Sequence, residues 1–276
     1  MSESSAPLFA SWNVLADRYS RHQSIEDVKE KYDEVCDMVF NLLDAKSAIG
    51  SCVFLQEVEP DLYDALVKRK DDFVPPRHHV YFVSHGNSVW PIDECPWSLT
   101  SPRGWSGLSM GNVGNAIILH IGSGEYPQLI EERYSLDEQY SPNGEPEGNL
   151  VAVIRWGGRT YISAHLCTLW SPWCHRRQIK RLRQFLDSVR PVVIGADLNS
   201  PCVFGRNGRP STWPLWPCPI LAIDSIISNS LVDLSELHEW SETRNGRFSD
   251  HIGVRCSESK GLYRASDHAT KRWNIP

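Results

Sequence analysis

Gly195-Ala196-Asp197-Leu198-Asn199-Ser200, entered from the apolar run Pro191-Val192-Val193-Ile194, decides how the rest of the chain is read. An apolar run of this length bounded by turn residues is a buried strand. It delivers a carboxylate and a carboxamide, two residues apart, onto its own exit, and the alternation of a strand puts both on one face. An aspartate there takes a proton or holds a water. An asparagine two positions on orients that water, or a phosphate oxygen, without adding charge. Asp and Asn also end strands by turning back onto the backbone, so the pair does not make a site by itself.

Other strand-like runs carry polar groups in the same way. Leu8-Phe9-Ala10-Ser11-Trp12 leads into Asn13, Cys52-Val53-Phe54-Leu55 into Gln56-Glu57, and Thr160-Tyr161-Ile162-Ser163-Ala164 into His165. Leu221-Ala222-Ile223 precedes Asp224, and Ser249-Asp250-His251 opens the run Ile252-Gly253-Val254-Arg255-Cys256. In this order the six islands resemble the endonuclease/exonuclease/phosphatase superfamily, the metal-dependent phosphoesterases that include DNase I. The resemblance runs from about residue 9 to residue 256. It implies a DNase I-like α/β (α+β) fold, a four-layer α-β-β-α sandwich of two packed mixed β-sheets flanked by helices, with the catalytic loops gathered at one end.

The resemblance also implies roles. Glu57, in Leu55-Gln56-Glu57-Val58, matches the family's metal-binding glutamate, and Asn13 the asparagine that helps hold metal and scissile phosphate. Asp250 binds the metal directly or through water. Asp197 matches the residue that holds or deprotonates the attacking water, Asn199 the one that orients it, and His165 a donor to a phosphate oxygen. His251 is the second such donor, kept in its tautomer by Asp224. Ser266-Asp267-His268 repeats the tripeptide at 249–251, so Asp267 and His268 are rivals of Asp250 and His251. The first copy is favoured because Ile252 to Cys256 can continue as a strand, as the family's motif requires. Asn115 is a further alternative. The implied cofactor is Mg2+, for which Mn2+ can substitute, since magnesium takes oxygen ligands and only one or two carboxylates.

Asn13-Val14-Leu15-Ala16-Asp17, Leu55-Gln56-Glu57-Val58-Glu59 and Ala164-His165-Leu166 before a basic helix resemble the deadenylase, nocturnin and Angel branch. That implies a phosphodiesterase of nucleic acids, RNA favoured over DNA, acting as an RNA 3′-end exonuclease. The alternatives are a 2′,3′-cyclic or terminal phosphatase and a 5′-tyrosyl-DNA phosphodiesterase; the 195–199 and 249–254 stretches also resemble the latter. A catalytically inactive nucleic-acid-binding module is the reading of a different class, and the presence of all eight polar residues argues against it. Trp170 and Trp173, read as loop residues, are candidate stacking platforms, each worth about 1 to 3 kcal/mol per base; Arg176 and Arg177 are further candidate substrate-binding residues.

A chain of 276 residues with 41% hydrophobic content supports one large core. Motifs spread from end to end give a single catalytic domain over 1–276, with a core at about 8–256 and a C-terminal tail at 257–276. The net charge of −6 argues against a protein that coats nucleic acid non-specifically. No apolar run approaches the roughly 18 residues that cross a bilayer, and Met-Ser-Glu-Ser-Ser-Ala-Pro has neither basic start nor apolar core, so an intracellular location, cytoplasmic or nuclear, is expected. The eight cysteines form no Cys-x-x-Cys pair, and a zinc site from Cys167, Cys174 and His175 matches no common ligand spacing. Gly107-Leu108-Ser109-Met110-Gly111 spells a nucleophile elbow but lacks the strand before and the helix after.

Val28, Tyr32, Val35, Val39, Leu42 and Leu43 recur at helical spacing, as do Ile179, Leu182, Phe185 and Leu186 in a basic helix over 176–189, stopped by Pro191. Residues 80–85, 115–120 and 150–156 supply further strands, and 86–113 and 122–149 read as long loops.

Overall fold

The computed structural model describes residues 6–14, 25–43, 47–85, 113–123, 128–137, 139–140, 142–144, 146–167, 172–188, 191–199, 224–228, 232, 234–235, 238–245 and 253–258. In chain order these form β1 (Leu8–Asn13), α1 (Ile25–Leu42), β2 (Cys52–Val58), α2 (Pro60–Asp71), β3 (His78–Ser84), β4 (Gly114–His120), β5 (Ile130–Ser135), β6 (Gln139–Tyr140) and β7 (Pro146–Glu147). There follow β8 (Leu150–Trp156), β9 (Arg159–His165), α3 (Pro172–Ser188), β10 (Val192–Asp197), β11 (Asp224–Ser228), β12 (His238–Glu239), a 3-10 turn at Ser241–Asn245 and β13 (Val254–Ser257).

Two mixed sheets result. The first runs β12-β13-β1-β2-β4-β3 and the second β11-β10-β9-β8-β5. Within them β1 and β2 are parallel, as are β9 and β10, and the other neighbours are antiparallel. Phe9, Phe54, Ile117 and Leu119 of the first sheet pack against Leu150, Ile154, Tyr161 and Val193 of the second, so the sheets meet face to face. The outer face of the first sheet, with Ala10, Trp12, Leu55 and Ile118, is covered by Val35, Val39 and Leu43 at the end of α1 and by Leu62 and Leu66 of α2. Ile162, Ala164, Ile194 and Ala196 of the second sheet's outer face pack on Ile179 and Leu182 of α3. These are the four layers the sequence implied.

Side-chain alternation shapes the space between the sheets. Along β1, inward positions read Phe9, Ser11, Asn13; along β2, Phe54 is followed by Gln56; along β9 they read Tyr161, Ser163, His165; along β10, Val193, Gly195, Asp197. The apolar members belong to the inter-sheet core. The polar ones meet one another: Gln56 Nε2 donates to Ser163 Oγ at 3.2 Å and Ser163 Oγ donates to the Leu55 carbonyl at 3.0 Å. Each parallel pair puts its two exits at one end, the hydrogen bond from Asn13 to Asp197 brings the two ends together, and one period-two pattern runs from dry core to polar site.

Several expectations are corrected. Asn199 does not share a strand face with Asp197, because β10 ends at Asp197 and Asn199 turns into the left-handed region with φ of 47°. Asp224 is the first described residue of β11, and the 221–223 run read before it lies outside the described residues. The 122–149 stretch contains β5, an edge strand whose acids face solvent and mask its apolar alternation. The basic helix begins at Pro172, so Trp173 is helical; proline suits the first turn, where its missing N–H has no partner to lose. Helix α2 was not anticipated, although Pro60 at its start, Asp61 in the first turn and Lys68, Arg69 and Lys70 in the last mark both of its ends. Residues 86–112 with Ser109, the 200–223 segment and the residues after 258 lie outside the described residues. Among the described residues no helix is long and apolar enough to cross a membrane.

Candidate active site

At the shared strand exits, Asn13 joins the two sheets. Its Nδ2 donates to Glu57 Oε1 and to Asp197 Oδ2, each at 2.9 Å. The two carboxylate oxygens, from residues 140 positions apart in sequence, are therefore no farther apart than twice that distance. Asp197 is 1% exposed, and its other oxygen accepts the backbone N–H of Asn199 at 2.9 Å. A buried carboxylate needs such donors, since desolvation otherwise penalises its charge.

Glu57 reaches this position by breaking the alternation of β2. Leu55 and Val58 both pack on the outer face, an odd step for a strand, and the pairing with β4 shifts register between them. The extra residue is a bulge, and Glu57 within it has φ of 56°. Left-handed backbone costs a non-glycine residue roughly 1 to 2 kcal/mol. Glu57 and Asn199 are the two non-glycine residues with positive φ among the described residues, and both carry candidate site chemistry.

His165 Nε2 lies 3.6 Å from Asp197 Oδ2 and 3.8 Å from Glu57 Oε1. Asn199 Nδ2 contacts that ring nitrogen at 2.9 Å and donates to the Leu166 carbonyl, also at 2.9 Å. An amide nitrogen only donates, so the Leu166 carbonyl fixes the amide's orientation, and Nε2 accepts with the ring proton on Nδ1. In this arrangement Nε2 is an acceptor; donation from it to a phosphate oxygen requires Asn199 to turn away and Nε2 to carry a proton.

Five of the expected residues, Asn13, Glu57, His165, Asp197 and Asn199, are thus brought together. Asp224 is the register partner of Asp197 on the neighbouring strand, and its side chain lies outside the described residues. Asp250, His251, Asp267, His268 and Trp170 lie outside them as well. The strand expected after the first Ser-Asp-His copy is present as β13, which starts beside Ser11 at the end of β1 that carries Asn13. Asn115 is buried, and its Nδ2 donates to the Leu150 carbonyl at 2.7 Å. Trp173 is 80% exposed with the Arg176 guanidinium over its ring, whereas Arg177 turns to Asp137 at 3.6 Å. The zinc site that the spacing already disfavoured is not formed: His175 Nε2 meets the Leu198 carbonyl at 2.9 Å, while the Cys167 and Cys174 sulfurs face Gln178. Among the described residues no three of His, Cys, Asp and Glu are disposed to hold a metal ion by themselves.

Residues that sequence reasoning passed over support the site from behind. Asn149 Nδ2 donates to the His165 carbonyl at 2.7 Å, and its backbone N–H donates to Asp137 Oδ2 at 2.9 Å. His85 Nδ1 accepts the Leu150 N–H at 3.1 Å. Their signal was the polar residue at a strand end, present in the sequence but without a family motif around it.

Burial, assisted by the nearby His165, lowers the pKa of His85 from 6.5 to about 3. Between those values the unfolded chain binds a proton that the folded one refuses, so stability is full above pH 6.5 and is drained as the pH falls toward about 3. The buried His78, also lowered, acts in the same sense. His85→Asn keeps an acceptor for Leu150 and removes the titration. Urea unfolding from pH 7 down to about 4 should show a smaller loss of stability in the variant; equal slopes would refute the assignment.

No protein-family model matches the chain. No curated protein matches it in sequence. Its fold, however, recurs among solved structures. A humanized D. rerio TDP2 carrying 14 mutations is 16% identical, with 93% of this chain and 100% of that chain covered and a TM-score of 0.59. An endonuclease/exonuclease/phosphatase from Bacteroides vulgatus is 14% identical, covering 92% and 98% with a TM-score of 0.60. The human Nocturnin catalytic domain with bound sulfate is 13% identical, covering 92% and 93% with a TM-score of 0.56. The chain has the DNase I-like fold of endonuclease/exonuclease/phosphatase proteins.

Proposed function

We propose that this chain, built on the endonuclease/exonuclease/phosphatase fold, is a magnesium-dependent phosphodiesterase that cleaves nucleic acid, acting as an RNA 3′-end exonuclease. The observation that carries this reading is the Asn13 amide bridging Glu57 and Asp197 across the two sheets. Two carboxylates and a carboxamide converging at strand exits present hard oxygen ligands, and magnesium is bound through one or two carboxylates completed by water and substrate phosphate. Their fit to a hard cation therefore does not depend on a third described ligand. Glu57 and Asn13 would hold the ion, with Asp250 completing the set. When bound, it supplies Lewis-acid polarisation of a phosphoryl oxygen.

The remaining work belongs to side chains. Asp197, fixed by Asn13 and by the Asn199 N–H, takes the proton of the attacking water, a contribution of typically 10² to 10⁴. Asn199 orients that water. His165, and His251 set by Asp224, donate to phosphate oxygens as negative charge grows. Water attacks phosphorus in line, the ester P–O bond breaks on the opposite side, and the departing oxygen takes a proton from solvent to leave as a hydroxyl. The exposed Trp173 with Arg176 beside it, on the helix that follows β9, suits a stacked base and a phosphate.

A panel of end-labelled RNA, RNA ending in a 2′,3′-cyclic phosphate and 5′-tyrosyl DNA, each with Mg2+, Mn2+ or chelator, tests the reading. Stepwise shortening of RNA from its 3′ end, abolished by chelator, is expected. Preference for the cyclic phosphate or the tyrosyl ester would move the substrate to that class. Inertness on all three would discard the nucleic-acid reading.

A further inference from the structure

The segment that carries His165 continues directly into a pair of thiols. Cys167 Sγ and Cys174 Sγ, from the turn after β9 and the first turns of α3, lie 2.7 Å apart and are unbonded. Two sulfurs that close need little movement to form a bond, since a disulfide spans about 2.05 Å. One side chain holds them there: Gln178 Oε1 accepts the Cys167 N–H at 2.7 Å, and its Nε2 reaches Cys167 Sγ at 3.1 Å, Cys174 Sγ at 3.4 Å and Asp137 Oδ1 at 2.7 Å. Asp137 in turn holds the Asn149 backbone, and Asn149 holds the His165 carbonyl. From the other side, Asn199 ties the Leu166 carbonyl to the His165 ring. Closing that gap moves the sulfurs by less than about 1 Å, and through these hydrogen bonds even so small a shift of Cys167 pulls on both contacts that position His165, where misplacement of that order is costly.

We infer that Cys167 and Cys174 form a redox-active dithiol whose closure to a disulfide, driven by a hydroperoxide, displaces His165 and lowers the activity of the adjacent site. For the loss of activity this rests on the function proposed above; the bond itself does not. Cys174 is half-buried and Cys167 buried, so a small peroxide meets Cys174 first. The hydrogen bond from Cys167, aided by the Arg177 guanidinium, holds the Cys174 thiol below its usual value. By contrast, burial pushes Cys36 and Cys256 up to about 12, which keeps them inert.

The Cys174 thiolate attacks one peroxide oxygen. The O–O bond breaks, and the departing oxygen takes up the proton the thiol had released and leaves as water, or as an alcohol for an organic peroxide, leaving a sulfenic acid on Cys174. The Cys167 sulfur then gives up its proton and attacks the Cys174 sulfur; the S–O bond breaks and the hydroxide leaves as water with that proton. Two thiols are oxidised by two electrons and one peroxide is reduced. A small dithiol reverses the bond by exchange.

The test treats the full chain with hydrogen peroxide, maps its peptides by mass spectrometry, and measures phosphodiester hydrolysis before oxidation, after it and after dithiothreitol. Expected are a Cys167–Cys174 linkage with loss of two hydrogens, a fall in turnover of about tenfold or more, recovery of both by dithiothreitol, and insensitivity of turnover in Cys174→Ser and in Cys167→Ser. The inference is overturned if both thiols remain unlinked, if turnover is unchanged once the linkage has formed, or if either serine variant loses activity as the wild type does. Should the reduced protein cleave no phosphodiester, the proposed function fails, and with it the regulatory half of the inference; the peptide map still decides the bond.

Discussion

On the proposed function, replacing Asp197 by asparagine should lower turnover by at least about a hundredfold, and by up to about ten-thousandfold, while the protein stays folded. The carboxylate is fully desolvated and accepts from Asn13 on one oxygen and from the Asn199 backbone on the other. Asparagine has the same shape and keeps one acceptor, but it cannot take a proton from water. One buried hydrogen bond is lost, about 1 to 3 kcal/mol, offset in part because a buried charge disappears with it. The measurement is turnover at saturating RNA beside a thermal melt. A melt near that of the wild type with turnover down a hundredfold places the effect in the chemistry. Wild-type turnover would remove Asp197 from the proposed role.

Replacing Gly195 by alanine is expected to act on stability instead. Gly195 sits within β10, flanked by β9 and β11, and faces the first sheet. A Cβ built there falls inside contact distance of the Phe54 ring and of its Cβ, so the ring or the whole sheet must give way. Interiors packed at crystal density have no slack for this, and overpacking of one methyl costs about 1 to 3 kcal/mol. For a domain of this size that is a fall in melting temperature of about 2 to 4 °C per kcal/mol. Adding Phe54→Leu should recover part of the loss, because neighbouring substitutions are not additive. A single Gly195→Ala variant as stable as the wild type would show that the sheets do not approach as closely as described. Both strands also carry site residues at their exits, so the close packing at Gly195 sets how near Asp197 stands to Glu57 and Asn13.

Much of this was legible locally. The apolar run before Asp197, the alternation through Phe9, Ser11 and Asn13, and the helical spacing of Val35, Val39 and Leu43 each encode their element in adjacent residues, because period and burial are properties of short segments. The two-sheet architecture, which the structure has, came through the family that the ordered polar islands resemble. Where neighbouring signals conflicted, reading failed: the acids of β5 hid an edge strand, and Pro172 marked the start of α3 where a loop had been read.

The sequence by itself determined the strands that deliver Asn13, His165 and Asp197, the order of those polar exits and the helices α1 and α3, since those follow from backbone periodicity and from which residues avoid water. Only the tertiary structure decided that Glu57 meets Asp197. By alternation alone Glu57 points away from Asn13, and a bulge paired against β4 with a left-handed φ of 56° turns it back. The same holds for the Asn13 bridge, the contact of Gly195 with Phe54 and the meeting of Cys167 with Cys174. Each depends on how closely elements distant in sequence pack, and packing distance is set by all the side chains of the interface together.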